Sequence, residues 1–228
     1  MDVLVTGFGA RGQGVLDVAS AIAEVLRADV RRLRPAAHSE QDVTVAEVLA
    51  ELAAPSTVLG VLPWRRGRGA LCWQVVERAA KPIVVVPPSV PSGHRPIRRV
   101  LVPLDGTAES ATAVARTAAL LAGAGVELLV LHVFDRATVP RYWDRPAHEQ
   151  RVWEEEFLAR YCAVPGVRME VRRGVPNEKV VKVAAEADMD LIALGWSQQL
   201  DRGRARIVRR TATDAHVPVL LVPIGPAP

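Results

Sequence analysis

A run of glycines near the start of the chain has the clearest capacity for chemistry. Gly7, Gly9 and Gly12 form a G-x-G-x-x-G pattern between an apolar strand pattern and a helix pattern, with Arg11 among them. Glycines let a backbone approach phosphate closely, and the N–H groups at a helix start favour an anion. Arg11 adds a mobile donor. The segment therefore predicts either an anion or dinucleotide site, or a tight turn that needs small residues.

The end of the second predicted strand bears on which dinucleotide this loop would accept. A dinucleotide site usually has an acidic residue about 20 residues beyond the glycines, where it binds the ribose hydroxyls. This chain instead has Arg31, Arg32 and Arg34 there, which would suit a 2′-phosphate at best. An NADP-dependent oxidoreductase is therefore one alternative, although the sequence contains no visible acid–base pair or substrate domain for it.

Signatures of a metal site or a catalytic nucleophile do not occur in the sequence. The five histidines have neither H-x-x-H nor H-E-x-x-H spacing, and Cys72 and Cys162 are too few for a metal cluster. No G-x-S-x-G motif is present. His132 lies on a predicted strand, where we expect it to pack in the core. These observations favour a protein that is not an enzyme and holds no metal.

The chain contains an internal repeat. Residues 3–5 match residues 100–102 at an offset of 97, and residues 82–87 match residues 218–223 at an offset of 136. The two offsets differ by 39 residues, so the second copy holds an additional block. A βα crossover unit takes about 30 or more residues. We therefore expect one helix–strand unit of the second copy to be missing from the first.

Strand and helix patterns alternate through both copies. The second copy reads as five strands separated by four helices, and the first as four strands separated by three. This alternation, with continuously apolar strands, predicts an α/β fold built of two tandem doubly wound parallel-sheet modules. Residues 89–97 are rich in Pro and Ser and predict a linker. The predicted domains are thus residues 1–88 and 98–228.

Four segments of the second copy resemble the universal stress protein family. They are VLVPLDGT at 100–107, LHV at 131–133, DLIALG at 190–195 and VPVLLV at 217–222. The third segment contains the fourth predicted strand, at 190–194. The resemblance covers residues 97–223 and, more faintly, residues 1–88. It implies an adenine-nucleotide alpha-hydrolase-like fold in two tandem copies, the first of them trimmed.

The resemblance also implies a site, because some members of the family bind ATP. Pro103, Leu104 and Asp105 would face the base and the ribose, and Val133 would pack on the base. Leu194 and Gly195 would open a phosphate loop after the fourth strand.

The phosphate loop departs from the family pattern G-x2-G-x9-G-[S/T]. The next glycine is Gly203, and the terminal glycine and hydroxyl fall on Ala205 and Arg206. Asp201 adds an anion near the expected phosphates. Arg204 and Arg206 could compensate by pairing with phosphate, or they could be solvated helix residues. We therefore expect a degenerate nucleotide site and no required cofactor, with ATP or a related adenine nucleotide as the alternative.

Composition narrows the set of partners. The net charge of +4 comes from arginine clusters in separate loops, without interleaved aromatic residues, so nucleic acid is not an expected partner. No stretch approaches the roughly 20 apolar residues of a membrane span. The absence of a signal peptide pattern favours a cytoplasmic location.

The expected function is that of a regulatory or binding module that acts through protein partners or through self-association. The apolar runs 82–86 and 218–222 are candidates for edge strands, which need to be covered. Pairing of the two copies with each other would cover both. The principal alternative is a stress protein that binds ATP or another adenine nucleotide.

Overall fold

Strands and helices alternate along the computed structural model, which describes residues 1–6, 12–33, 43–65, 70–135, 138, 147–196 and 204–224. Within these residues, the strands are β1 (Asp2–Val5), β2 (Asp29–Arg32), β3 (Thr57–Pro63), β4 (Ile83–Val86), β5 (Arg99–Pro103), β6 (Glu127–Phe134), β7 (Arg168–Arg173), β8 (Leu191–Trp196) and β9 (Val219–Pro223). The helices are α1 (Gly12–Leu26), α2 (Val45–Ala53), α3 (Leu71–Arg78), α4 (Ala108–Gly123), α5 (Ala147–Tyr161), α6 (Pro176–Glu186) and α7 (Arg204–Asp214).

The strands form one sheet in the order β2-β1-β3-β4-β9-β8-β5-β6-β7. Neighbours within each copy are parallel, with four strands in the first copy and five in the second. The order 2-1-3-4 of the first copy corresponds to 6-5-8-9 of the second, so α5 and β7 are the additional unit. The predicted fold class and the missing helix–strand unit are confirmed.

The two copies join through their last strands. β4 and β9 pair in antiparallel fashion, with Val84 opposite Leu220. The expected pairing of the two apolar runs is therefore present within the chain. No helix in the described ranges is long and apolar enough to cross a membrane.

Local sequence signals explain where several helices begin. Thr44 and Glu47 form a capping box at the start of α2, each side chain accepting from the other residue's backbone N–H. The Thr107 side chain accepts from the Ser110 N–H and caps α4. Pro176 occupies the first turn of α6, where its missing N–H costs nothing.

The sheet separates two hydrophobic layers. Buried residues of α1, α4 and α5 pack on one face, and those of α2, α3, α6 and α7 pack on the other. Strand residues alternate between the layers, so Leu194 and Trp196 face α7 while Ala193 faces α4. This alternation determines which side chains of β8 point towards the α7 side of the sheet and which point towards the α4 side.

Candidate functional site

A crevice lies at the carboxyl ends of β5, β6 and β8, where the strand order of the second copy reverses. β5 continues into α4 on one face and β8 continues into α7 on the other, and such a switch point is the usual ligand position in doubly wound folds. The crevice has a volume of about 110 Å³. Six of the residues expected from the sequence line it: Pro103, Leu104, Asp105, Val133, Leu194 and Gly195.

Asp105 is fixed by the turn that leads into α4. Gly106 has a φ of +78°, a conformation that favours glycine, and it turns the chain directly after Asp105. The Asp105 Oδ1 accepts from the Thr107 N–H at 3.1 Å, the Thr107 hydroxyl at 2.7 Å and the Ser110 hydroxyl at 2.5 Å. This carboxylate oxygen therefore organises the N-terminus of α4, where a negative charge is favourable.

Gly195 packs against α4 near the end of β8. A Cβ at this position would lie 3.4 Å from both the Cα and the carbonyl oxygen of Ser110, and 3.5 Å from the Ala113 Cβ. These are ordinary van der Waals distances, so packing against α4 leaves room for a Cβ and does not by itself require the glycine that was expected to open a phosphate loop.

Trp196 continues β8 two residues beyond the strand end expected at 194. It pairs with Pro223 of β9 and is only 1% exposed. Its ring lies 5.5 Å from that of Trp73 in the first copy, and its Nε1–H donates to the Val76 carbonyl at 3.2 Å. The residue that follows Gly195 in the expected phosphate loop is thus a core residue at the junction of the copies.

Further contacts connect α7 to the first copy. Trp64 packs edge-on against Trp73 with ring centroids 5.6 Å apart, and its Nε1–H donates to the Thr213 hydroxyl at 3.2 Å. The Arg209 guanidinium carbon lies 4.5 Å from the Trp73 ring centroid, within the range of a cation–π interaction. Three tryptophans and two residues of α7 therefore hold this side of the second copy against the first.

The role of these three tryptophans was not predicted from the sequence, although a signal was present. β3–β4 and β8–β9 share one register, in which Pro63 corresponds to Gly195 and Trp64 to Trp196. The offset of this pair is 132 rather than 136 residues, so the segment that follows is four residues longer in the second copy. A repeat comparison that allowed for this change would have aligned Trp64 with Trp196.

A second cavity, of about 480 Å³, adjoins the crevice. The two share Asp105 and Val133 among their lining residues. Trp153 and Phe157 supply aromatic surface. Among the described residues, three carboxylates line the cavity, those of Asp105, Asp135 and Glu156, and one cation, that of Arg160. Carboxylates outnumber the cation, so this part of the site does not favour a polyanion.

His132 is a packing residue, as expected. It is buried between Phe134 and Phe157, with ring centroids 4.6 Å and 4.9 Å away, and its Nδ1 lies 2.9 Å from the Leu104 carbonyl oxygen. Burial lowers the pKa of this imidazole, while the hydrogen bond to Leu104 and the charge of Asp105 oppose that change. The neutral ring thereby ties the end of β6 to the end of β5.

The remaining predicted site residues belong to α7, to α1 or to segments outside the described residues. Arg204 begins α7 and Arg206 lies in its first turn. Gly203 lies outside the described residues, as do Gly7, Gly9 and Arg11 of the first glycine loop. Gly12 begins α1. No group of three metal-ligating side chains occurs among the residues that the structure describes.

Comparison with known proteins extends these observations. A sequence model described as the Universal stress protein family matches residues 96–223, more than half of the chain. No curated protein matches the chain.

Solved structures match nearly the whole chain, and two of them illustrate the likeness. A functionally unknown protein from Pseudomonas aeruginosa PAO1 is 14% identical, with 98% of this chain and 92% of that one covered and a TM-score of 0.67. A universal stress protein from Archaeoglobus fulgidus DSM 4304 is 16% identical, with 98% and 96% covered and a TM-score of 0.60. At these identities the likeness shows the fold alone.

Proposed function

This chain belongs to the universal stress protein family, and we propose that it is a regulatory binding module with a degenerate nucleotide site that acts through protein partners. The observation that carries the proposal is the burial of Trp196. A phosphate loop needs backbone N–H groups that face a ligand, but the residue after Gly195 is fixed in β8 against the first copy.

The dimensions of the crevice support the same proposal. Its volume of about 110 Å³ is well below the roughly 300–1,000 Å³ of typical small-molecule sites. Leu131, Val180 and Val208 contribute apolar side chains to its lining. A base could contact these surfaces, but a whole nucleotide would also need the adjoining cavity.

Electrostatics in that adjoining cavity oppose a phosphate chain. Among the described residues, Asp105, Asp135 and Glu156 line it together with one arginine, Arg160. Like charges close to a phosphate reduce its affinity, and the effect is larger where water is partly excluded. The cavity thus favours a neutral or cationic group over a triphosphate.

The central and edge strands of the sheet are consistent with a role that the protein performs through partners and without catalysis. β4 and β9 cover each other, so the self-association expected through these strands is satisfied inside one chain. The strands at the two ends of the sheet, β2 and β7, are rich in charged side chains that discourage further strand addition. We therefore propose that a protein partner contacts helices or loops, and a cytoplasmic location stays a prediction.

A second candidate is an adenine-nucleotide-binding protein. It is favoured by one observation, which is that Pro103, Asp105, Val133 and Gly195 surround a single crevice at the switch point. These positions are the ones that the family resemblance implies for the base and ribose. In this case the phosphates would have to be held by residues outside the described ranges or by α7.

Thermal unfolding with and without nucleotide distinguishes the two candidates. Saturation of one site at about 100 times its dissociation constant stabilises a protein by about 2.7 kcal/mol, or roughly 5–11 °C for a chain of this size. We expect a much smaller shift with millimolar MgATP or AMP. The matched control is Asp105→Ala, measured with and without nucleotide. A full shift in the wild type that Asp105→Ala abolishes would establish the second candidate instead.

A further inference from the structure

One nearly buried nitrogen atom in the cavity beside Asp105 has an unused lone pair. His132 is 7% exposed and lines this cavity of about 480 Å³. Its Nδ1 lies 2.9 Å from the Leu104 carbonyl oxygen, and because a carbonyl oxygen only accepts, Nδ1 carries the proton of the neutral ring. Among the described residues Nε2 has no hydrogen-bond partner, yet it is not completely enclosed. Nε2 can therefore accept from a donor that enters the cavity.

Aromatic side chains surround His132 and line the same cavity. The ring centroids of Phe157 and Trp153 lie 4.9 Å and 5.5 Å from the imidazole, and that of Tyr161 lies 4.7 Å from Phe157. Trp153 and Tyr161 are partly exposed, so part of their surface is open to a ligand. Aromatic rings attract organic cations and also cover apolar groups. This wall therefore suits a ligand that joins a cationic group to a hydrocarbon body.

The charged side chains of the cavity also favour a positively charged ligand. Among the described lining residues, three carboxylates face one guanidinium, a net charge of −2. Asp105 and Asp135 are engaged with Thr107 and Thr138 in their own turns. Glu156 is exposed on α5 and has no hydrogen bond or ion pair with another described residue. Its carboxylate can thus pair with a ligand without the loss of an existing contact.

We propose that this cavity binds a small organic amine in its ammonium form. One ammonium N–H would donate to the His132 Nε2, the Glu156 carboxylate would pair with the charge, and the hydrocarbon body would lie against Trp153. An ammonium group is close to a water molecule in size, so the access that remains at Nε2 is enough for it. The proposal rests on the proposed function to the extent that no nucleotide fills the same cavity.

Isothermal titration calorimetry of the full chain with three related probes tests this site. Benzylammonium has the charge and N–H donors, benzyltrimethylammonium keeps the charge without a donor, and benzyl alcohol has a donor without the charge. We expect saturable binding of benzylammonium at millimolar concentrations. Benzyltrimethylammonium should bind about tenfold more weakly, because it cannot make the hydrogen bond to Nε2. Benzyl alcohol should bind at least about fivefold more weakly, because it lacks the charge.

Two substitutions separate the contacts of the ligand. His132→Phe keeps an aromatic ring but removes the acceptor, so the two cations should then bind with nearly equal affinity. Glu156→Gln should weaken both cations about two- to fivefold and leave benzyl alcohol unchanged. Its matched control is Glu155→Gln, the same change at an exposed neighbour on α5 that does not line the cavity, and this variant should bind like the wild type. Circular dichroism identifies any loss of folding, and Glu156→Gln, an exposed change, keeps the test valid if His132→Phe misfolds.

The absence of saturable benzylammonium binding by the wild type would overturn the proposal, as would equal affinities for benzylammonium and benzyl alcohol. An undiminished difference between the two cations in folded His132→Phe would exclude Nε2 as the acceptor. An equal loss in Glu156→Gln and Glu155→Gln would exclude a specific contact with Glu156. Nucleotide binding is measured separately: a full thermal shift with MgATP beside normal amine binding would overturn only the degenerate nucleotide site. The absence of both would overturn only the amine site.

Discussion

Trp73 of the first copy and Trp196 of the second pack with their ring centroids 5.5 Å apart across the junction between the copies. Both rings are at least 98% buried. Trp196 directly follows Gly195, which lines the crevice at the switch point. The same contact therefore holds the two copies together and removes the start of the expected phosphate loop from solvent.

Replacement of Trp196 by alanine should destabilise the whole chain. Loss of a buried tryptophan typically costs about 3–5 kcal/mol, and here the Val76 carbonyl also loses its donor. The melting temperature should fall by roughly 6–20 °C for a chain of this size. Denaturant unfolding followed by circular dichroism gives the free-energy change directly.

Trp153→Ala is the matched control for that change, because Trp153 lies partly exposed on α5, away from the junction. It should cost clearly less. If Trp196→Ala costs no more than Trp153→Ala, the junction contributes little, and the account of the lost phosphate loop fails with it.

The repeat and the alternating strands predicted the fold well, because both depend on hydrophobic periodicity and strand order. The residues at the crevice were also predictable, since they follow strand ends that the family resemblance had aligned. The role of Trp196 was not, because its burial depends on Trp73, which lies 123 positions earlier in the sequence.

Asp105 should contribute to stability in the absence of any ligand. Its Oδ1 accepts from Thr107 and Ser110 at the start of α4, and removal of a cap costs about 0.5–2 kcal/mol. We expect Asp105→Ala to lose about 1–2 kcal/mol of unfolding free energy without nucleotide. Glu156→Gln, which removes a carboxylate charge from the adjoining cavity, is the comparison for a general charge effect. An unchanged Asp105→Ala protein would indicate that the carboxylate is kept for a ligand alone.

His132 should make the stability depend on pH below neutrality. Burial lowers the pKa of its folded form below the ordinary value of 6.5, so the unfolded chain binds a proton first as pH falls. The unfolding free energy that neutral His132 contributes is therefore fully present above pH 6.5. It should be lost as the pH falls from 6.5 through the lower pKa of the folded protein. His132→Phe should show a smaller decrease in unfolding free energy between pH 7.5 and pH 5.

His216→Gln is the matched control for the histidine experiment, because it removes a histidine from the exposed surface and not from the core. Carboxylates also titrate in this range, and the comparison among the three proteins removes their common contribution. Identical pH profiles for His132→Phe and the wild type would contradict a buried neutral imidazole at this position.

The two cysteines should resist thiol reagents until the chain unfolds. Cys72 and Cys162 are 3% and 7% exposed, and burial raises the pKa of both thiols. The thiolate is the reactive form, so at pH 8 neither should react quickly with Ellman's reagent, and both should react at once in denaturant.

In the folded protein, Cys162 should react before Cys72, because a hydrogen bond with the Val164 backbone opposes the rise in the pKa of Cys162. Cys72→Ser and Cys162→Ser assign the two phases, and a fast native phase that Cys72→Ser removes would contradict the burial of α3 against the sheet.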